Sequence, residues 1–492
     1  MLNGIHGLAQ RLRSIRSRPL AIQAPIGDGI SRAIHESSMP ATVLFVPPQQ
    51  PLTGLRWLRT VLRNPIEAWP AEIYREPIFT SRFAGRDVVF VMAPDLVRDV
   101  LVTASDSFDK GDLTRRALRP VLGEALLTAE GDHWRWQRRA AAPTFRPDAM
   151  APYFPAVQAA IDRRLAQWSA MPDGAIVDVA HEMMRTTFDA ILDAMLSGRE
   201  SMDADRVERA ITDYLGSVAW ITVVAMLGLP EWMPFPGRIR TEIARRFLKR
   251  SARQAAERAR NSPVQSNLIA SLGKTADAGT GRTMDNAELA DNFLTFMTAG
   301  HETTALALTW TWYLLAQHPD TEQRVLAEVR QCTGGRPLAY EDLGALVYTR
   351  RVIEESMRLF PPAPVIVRRA LTDARIGPCL VPKGTDVYVP VYAIHRHAQL
   401  WNDPNGFDPD RFAPEHGPAR PRYAYLPFGA GPRICIGSSF AMMEAAAMLA
   451  SLITRYQLSL DPDYKPRMAV RVTLRPARGL MMHLRKRRSG NV

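Results

Sequence analysis

The spacing of apolar and polar positions changes character several times along the chain. Residues 1 to about 45 show only weak periodicity and read as a flexible tail. The runs "IFTSRF" (78–83) and "DVVFVM" (87–92) are β-rich and are split by Ala84-Gly85-Arg86, which predicts a hairpin. From about 130 to 260 the pattern is mostly helical, with proline-rich breaks at 229–237. After the loop 273–281 a long helical pattern begins. Asp285 suits its N-cap and Glu288 follows three residues later, as in a capping box. The pattern runs to about Gln317, where His318-Pro319 stops it. Roughly 33 residues at 1.5 Å each give about 50 Å, enough to cross a whole domain. Another helix ends at "MRLFPP", short strand signals follow, and a last helix starts at about Ser438. The predicted fold class is mainly α with a minor β lobe.

Composition changes this picture little. The 492 residues are 46% hydrophobic and 23% charged, ordinary for a globular chain with a large core. With no repeat and no long linker, residues 46–492 are expected to form one multi-lobed domain behind the tail 1–45. Cys332, Cys379 and Cys435 are too few and too scattered for a disulfide framework, so a reducing, cytoplasmic location is expected. No signal peptide is read, although the first 27 residues contain no Asp or Glu. No uncharged run of about 18 apolar residues predicts a transmembrane anchor, and a soluble monomer is expected. The formal charge of +12 admits nucleic acid, a membrane surface or an acidic protein partner. No zinc-finger spacing or recognition-helix motif supports nucleic acid.

Three segments break the local rules in ways that point to a site. The long helix carries Gly300, His301, Glu302, Thr303 and Thr304 in its middle. Glycine costs about 1 kcal/mol there relative to alanine, a buried carboxylate needs a partner, and threonine can bond back to the i−4 carbonyl and bend the helix. The bland reading is a polar kink satisfied by neighbouring helices. In "GDHWRWQRR" (131–139), Trp134 and Arg138 share one helix face and Arg135 and Arg139 the next. The first pair can donate to an acidic group; the bland reading is a solvated basic helix. In "PFGAGPRICIGSSFA" (427–441), Gly429, Gly431 and Gly437 surround Cys435. Glycines allow close backbone approach, and N–H groups with a helix start would favour thiolate. Cys435 is a buried core residue, a nucleophile or a metal ligand. The loop has no histidine base, and a zinc site would want more Cys or His nearby. An axial thiolate to haem iron needs this one cysteine only.

The pattern Phe428-Gly429-x-Gly431-x-Arg433-x-Cys435-x-Gly437 resembles the cysteine loop of the cytochrome P-450 haem-thiolate monooxygenases. Ala299-Gly300-His301-Glu302-Thr303-Thr304 looks like the family's oxygen-activating motif, Glu355-Ser356-Met357-Arg358 like its ExxR motif and Trp134-x-x-x-Arg138 like its WxxxR motif. Phe407-Asp408-Pro409-Asp410-Arg411-Phe412 is similar to the FxPxRF segment, with Asp410 where Glu is commoner, and His395-Arg396-His397 replaces the more usual HRD. The motifs keep the family's order over about residues 50–485. The resemblance implies the cytochrome P-450 fold, a long central helix over the haem, and heme b (iron protoporphyrin IX) as cofactor. It implies Cys435 as the axial ligand of the haem iron. Arg433, Arg368, Trp134 and Arg138 would meet the propionates, and Phe428, Gly429, Gly437, Ala299 and Gly300 would border the macrocycle. Thr303 and Glu302 would be the catalytic pair that delivers protons to dioxygen. Glu355, Arg358 and Arg411 would form a structural ion-pair cluster. Val365, Ile366, Phe296 and Ala299 would border the substrate, with parts of 108–128 and 215–240; the apolar stretch 218–229 is equally well core.

The implied activity is insertion of one oxygen atom from O2 into a small apolar organic substrate. No flavin or iron–sulfur module is recognised in the chain. Electrons are therefore expected from a ferredoxin or flavodoxin served by an NAD(P)H-dependent reductase. Arg135 and Arg139, turned away from the haem, are expected to dock that acidic partner. Two other readings stay open. A peroxide-using peroxygenase or an isomerase would work without NAD(P)H, and the intact Glu302-Thr303 pair argues against it. A non-catalytic haem sensor would consume no O2 with any reductant.

Overall fold

The computed structural model describes residues 44–487, apart from 84–85, 197–202, 227–228, 231, 262–266, 278, 418–419 and 463. The tail expected at 1–45 therefore lies almost wholly outside the described residues. Leaving single-turn helices unlabelled, the first helices are α1 (Gly54–Arg63), α2 (Gly111–Leu122), α3 (Gly131–Ala141) and α4 (Phe154–Ser169). Next come α5 (Val179–Met195), α6 (Ala204–Gly216), α7 (Val218–Met226), α8 (Arg238–Asn261) and α9 (Leu268–Lys274). The last are α10 (Asn286–Gln317), α11 (Pro319–Thr333), α12 (Val347–Leu359) and α13 (Ser438–Ile453). The strands are β1 (Ile78–Phe83), β2 (Arg86–Val91), β3 (Phe108–Asp109), β4 (Ala175–Asp178), β5 (Ile366–Ala370) and β6 (Ala374–Ile376). They continue as β7 (Cys379–Val381), β8 (Asp386–Val389), β9 (Tyr456–Ser459), β10 (Met468–Val470), β11 (Leu474–Pro476) and β12 (Met481–Lys486).

The predicted hairpin forms, with Phe83 opposite Arg86 in the β1–β2 ladder; its turn residues Ala84 and Gly85 are outside the described residues. It is the edge of a five-stranded sheet ordered β1-β2-β8-β5-β3. The β2–β8 pair is parallel, and the chain between those strands is the helical body. A second sheet, β4-β12-β9, and the hairpins β6–β7 and β10–β11 complete the β component.

Helix α10 is the axis of the body. The Asp285 carboxylate accepts from the Glu288 N–H (2.8 Å) and the Glu288 carboxylate from the Asp285 N–H (3.0 Å), the capping box read from the sequence. His318 ends the helix and Pro319 opens α11. Its 32 residues span roughly 48 Å. Helices α5, α8, α12 and α13 pack around it. A helix walled on all sides can be apolar all round, and Trp310, Trp312, Tyr313 and Leu314 are fully enclosed. The Trp310 ring stacks on Phe360 with centroids 4.3 Å apart. This packing fixes α10 against α13, the helix that leaves the cysteine loop.

Candidate functional site

The cysteine loop is closed by backbone. The Cys435 N–H donates to the Phe428 carbonyl (2.9 Å), and residues Gly431–Arg433 make a tight helical turn between them. Gly431 has φ of 72°, and a Cβ there would stand 1.9 Å from the Leu101 carbonyl oxygen, so only glycine fits. Gly429 has φ of 73° and lies against Ile366. A Cβ on Gly437, the residue before α13, would meet nothing within 4 Å. Cys435 itself is exposed, and so are its neighbours Pro432 and Ile434. Protein surrounds the thiol closely enough that burial pushes its pKa up, against the Gly437 N–H and the Arg138 charge, which both pull it down. The loop alone was expected to favour thiolate, and desolvation acts against its N–H groups. A metal ion bound at sulfur would supply the missing charge.

The middle of α10 shows the complementary break. Ala299 is exposed and Thr298, Gly300 and Thr303 are partly so, in a helix whose other central residues are buried. Ala299 and Thr303 are four apart and share a face. The Thr303 hydroxyl donates to the Ala299 carbonyl (2.8 Å), which leaves its lone pairs turned outward. Gly300 behaves differently from expectation. A Cβ there would meet Ile191 of α5 at 3.4 Å, and Thr187 on α5 donates to the His301 carbonyl (2.8 Å). The helices approach closely at this point, but a methyl group at position 300 would meet Ile191 in ordinary contact. His301 is buried, its ring edge-on to Phe188 and its Nδ1 2.5 Å from the Met297 carbonyl. Glu302 turns away to the β10–β11 hairpin, where its Oε1 accepts from Thr473 Oγ1 and Arg475 Nη2. It is a paired, buried carboxylate and not a loose group facing the exposed stripe.

Between the loop and the sheet lies a concentration of positive charge. Lys110, Arg368 and Arg433 are near enough to depress one another. Burial first, then those neighbours, lowers Lys110 to about 7, and burial and Arg433 lower Arg368 to about 10. Arg433 pairs with Glu130 and donates to the Ala129 carbonyl (2.8 Å), while the Trp134 ring lies 4.0 Å from its guanidinium carbon. Burial also pushes Arg138 down, with the Cys435 sulfur pulling the other way. Lys110, Arg368 and Arg433 thus share Glu130, and the two arginines share Asp109, which is already bound to Arg115 (3.3 Å). Such a surplus suits an anionic ligand. The donor set fits the expected haem: one sulfur, a cradle at Gly437, an apolar wall at Ala299, and cations for two propionates.

The expected ion-pair cluster assembles. Arg358 donates twice to Glu355 (2.6 and 2.7 Å) and caps the carbonyls of His395, Pro404 and Gly406 (2.7–2.8 Å). Arg411 reaches Glu355 at 3.4 Å, and the Asp408 N–H donates to Glu355 (3.0 Å). Even so, burial pushes Glu355 up. Arg135 and Arg139 do not present free charge. Arg135 bonds Asp106 (2.9 Å) and Asp132 (2.8 Å), and Arg139 grips Asp277 (2.8 and 3.1 Å), lowering its carboxyl to about 2. Both side chains nevertheless stay about half exposed on the surface.

The substrate-side expectations divide. Val365 and Val367 line a cavity of about 310 Å³ bounded by α1, the five-stranded sheet and the β10–β11 turn. Ile366 points to the other side of the strand, as alternation requires, and touches the Gly429 position at 3.5 Å. Phe296 is buried against Phe145, ring centroids 5.1 Å apart. In the apolar stretch 218–229, Val218 lines the cavity and Val223 is core. Sequence reasoning missed Lys110, Glu130, Thr473, Arg475 and Glu444. Glu444, on α13, is a fully enclosed carboxyl that burial pushes well up, beside the Thr304 hydroxyl. An acidic residue in a helix as apolar as α13 was the available signal for Glu444; the other four carried none.

The model of the family described as "Cytochrome P450" matches residues 57–483. Cyclooctatin synthase of Streptomyces melanosporofaciens is 31% identical over 87% of this chain and 93% of its own. Cyclooctat-9-en-7-ol 5-monooxygenase of the same organism is 33% identical over 75% and 80%. Among solved structures, the haem domain of cytochrome P450DA superposes with a TM-score of 0.78 at 25% identity, covering 90% of this chain and 97% of that one. The chain belongs to the cytochrome P450 family and is an oxygenase whose cofactor is haem b.

Proposed function

We propose that the protein is a haem-thiolate monooxygenase that hydroxylates an apolar organic molecule with O2 and electrons from a separate redox protein. The observation that carries this reading is Cys435, solvent-accessible in a glycine-rich loop just before α13, with the Ala299–Thr303 stripe exposed in the middle of α10, a helix that packs on α13. Haem bound there supplies the iron that binds and reduces dioxygen. Cys435 would hold its iron through sulfur. Arg138, Arg368, Arg433 and Lys110 hold the propionates, with Trp134 fixing the Arg433 plane. Thr303, its proton engaged at the Ala299 carbonyl, would accept a hydrogen bond from a water O–H in the cleft. Glu302, bound by Arg475 and Thr473, would act as a general acid only after turning from that pair and taking up a proton from solvent, which it would then pass inward. Glu355, Arg358 and Arg411 hold the segment before the cysteine loop.

Two relatives whose names denote the cyclooctat skeleton support an apolar, carbon-rich substrate. The lining of the 310 Å³ cavity, with Trp57, Trp69, Phe79 and Phe90, supports the same class. The test is the reduced carbon monoxide difference spectrum of the purified protein. A Soret band at the thiolate position, lost in Cys435→Ser, is expected; a histidine-type band in folded protein overturns the reading. For the proton path, Thr303→Ala is expected to keep O2 consumption while diverting most electrons to hydrogen peroxide, measured as peroxide formed per NAD(P)H oxidised. Unchanged coupling would remove Thr303 from that role.

A further inference from the structure

The cavity beside Val365 is lined mostly by apolar side chains. Trp57, Trp69, Phe90, Val365 and Val367 form its walls, and among the described residues that line it there is no Asp or Glu. Two arginines line it, Arg82 and Arg471. They differ in circumstance. Arg82 lies at the β1–β2 hairpin, mostly exposed, and pairs with Asp87 across it (3.3 Å). Arg471 is also exposed, at the tip of the β10–β11 hairpin, but no carboxylate pairs with it among the described residues.

The surroundings of Arg471 explain why it lacks a partner. The carboxylate that acts on it is Glu302, and Glu302 is already bound by Arg475 and Thr473 on the same hairpin. Glu302 and Arg475 cancel, so Arg471 is one positive charge in excess. Its Nη1 lies 3.5 Å from the place a Cβ on Gly216 would occupy, so the guanidinium packs beside the last residue of α6. Partial burial and the neighbouring Arg475 push its pKa down, which an arriving anion would reverse.

Resting on the monooxygenase reading, we propose that the substrate is an apolar chain or ring carrying one carboxylate, and that Arg471 binds the carboxylate while the hydrocarbon lies along the aromatic wall. A guanidinium fork matches a carboxylate with two parallel N–H···O bonds. One excess cation balances one negative charge, so a phosphate or diphosphate, with more charge to desolvate, does not suit this cavity. At about 310 Å³ the space is at the small end for ligand pockets, which favours a medium-length acid.

The test uses the haem-loaded enzyme and isothermal titration calorimetry with dodecanoate and with dodecan-1-ol, which share the chain and differ in charge. Wild type is expected to bind dodecanoate about tenfold or more tightly than the alcohol. Arg471→Leu is expected to erase that preference by weakening dodecanoate alone, Arg471→Lys to keep part of it, and Arg82→Leu to leave it within about twofold of wild type. Equal binding of acid and alcohol by wild type overturns the proposal without recourse to a variant. So does an Arg471→Leu enzyme that keeps the preference. The carbon monoxide spectrum of the same samples reports separately on the monooxygenase reading. A thiolate band with no acid preference sinks only the present inference, and acid preference without that band sinks only the reading beneath it.

Discussion

At the residue scale, Lys110 shows how a site for an anion declares itself through the pKa of a cation. Its ammonium is held at about 7 by burial and by Arg433 and Arg368. An unfolded lysine keeps its proton to about 10.4. Below about 7 both states carry the proton and the folded apoprotein bears the full penalty of burying it. Between about 7 and 10.4 the unfolded chain binds more protons, so apoprotein stability rises with pH in that window. Capture of an anionic ligand has the opposite sign, because the charge that attracts it is lost over the same range. Uptake of haem by apoprotein is therefore expected to weaken from pH 6 to pH 9, by several-fold if Lys110 contributes one charge-assisted bond. Lys110→Arg, which stays charged, should flatten the curve. A wild-type curve already flat would show that Lys110 takes no part.

Elements fix what residues can do, and the cysteine loop is the clearest case. Gly431 meets the Leu101 carbonyl on the π-helical turn Asp99–Thr103. Gly431→Ala puts a methyl carbon where an oxygen already is and asks an L side chain to hold φ of 72°. The loop must move, and Cys435 moves with it. Purified Gly431→Ala is expected to hold less than about a tenth of the wild-type haem, while Gly437→Ala, whose Cβ meets nothing within 4 Å of protein, should still fold. Equal haem content in Gly431→Ala would refute this account of the loop. The Glu355–Arg358 pair, on α12, acts on the same segment from behind. Removing one partner of such a buried pair costs about 3–5 kcal/mol, so Glu355→Ala should be recovered haem-free and with a lower melting temperature; normal haem content would count against it. The elements themselves were legible where their signals are local. The capping box, the His318-Pro319 stop and the hairpin at 78–92 each depend on residues a few positions apart, and all stand in the structure. What could not be read is what arrives from far along the chain. Arg475 and Thr473 reach Glu302 across more than 170 residues, and β8 finds β2 across about 300. Glu302, Trp134 and Arg138 sat in recognisable motifs, yet their partners sit in unremarkable polar stretches that only folding brings near.

On the scale of the whole molecule the question is how an electron donor finds the proximal side. The chain carries a formal +12, so an acidic donor is attracted from a distance whatever its final contact. Arg135 and Arg139 were the cations singled out for that contact, and each is occupied by carboxylates of its own chain. A paired surface charge contributes little field beyond the pair, and exposed pairs are worth about 0–1 kcal/mol. Steering should then come from the distributed surplus and be screened over the Debye length, about 8 Å at physiological salt. With an acidic ferredoxin as donor, stopped-flow reduction of the haem is expected to slow steeply as ionic strength rises. Arg135→Gln and Arg139→Gln should keep both the rate and the slope within about twofold of wild type. Loss of most of the low-salt rate in either variant would return these two arginines to the docking surface, and a rate indifferent to salt in wild type would remove electrostatic steering altogether.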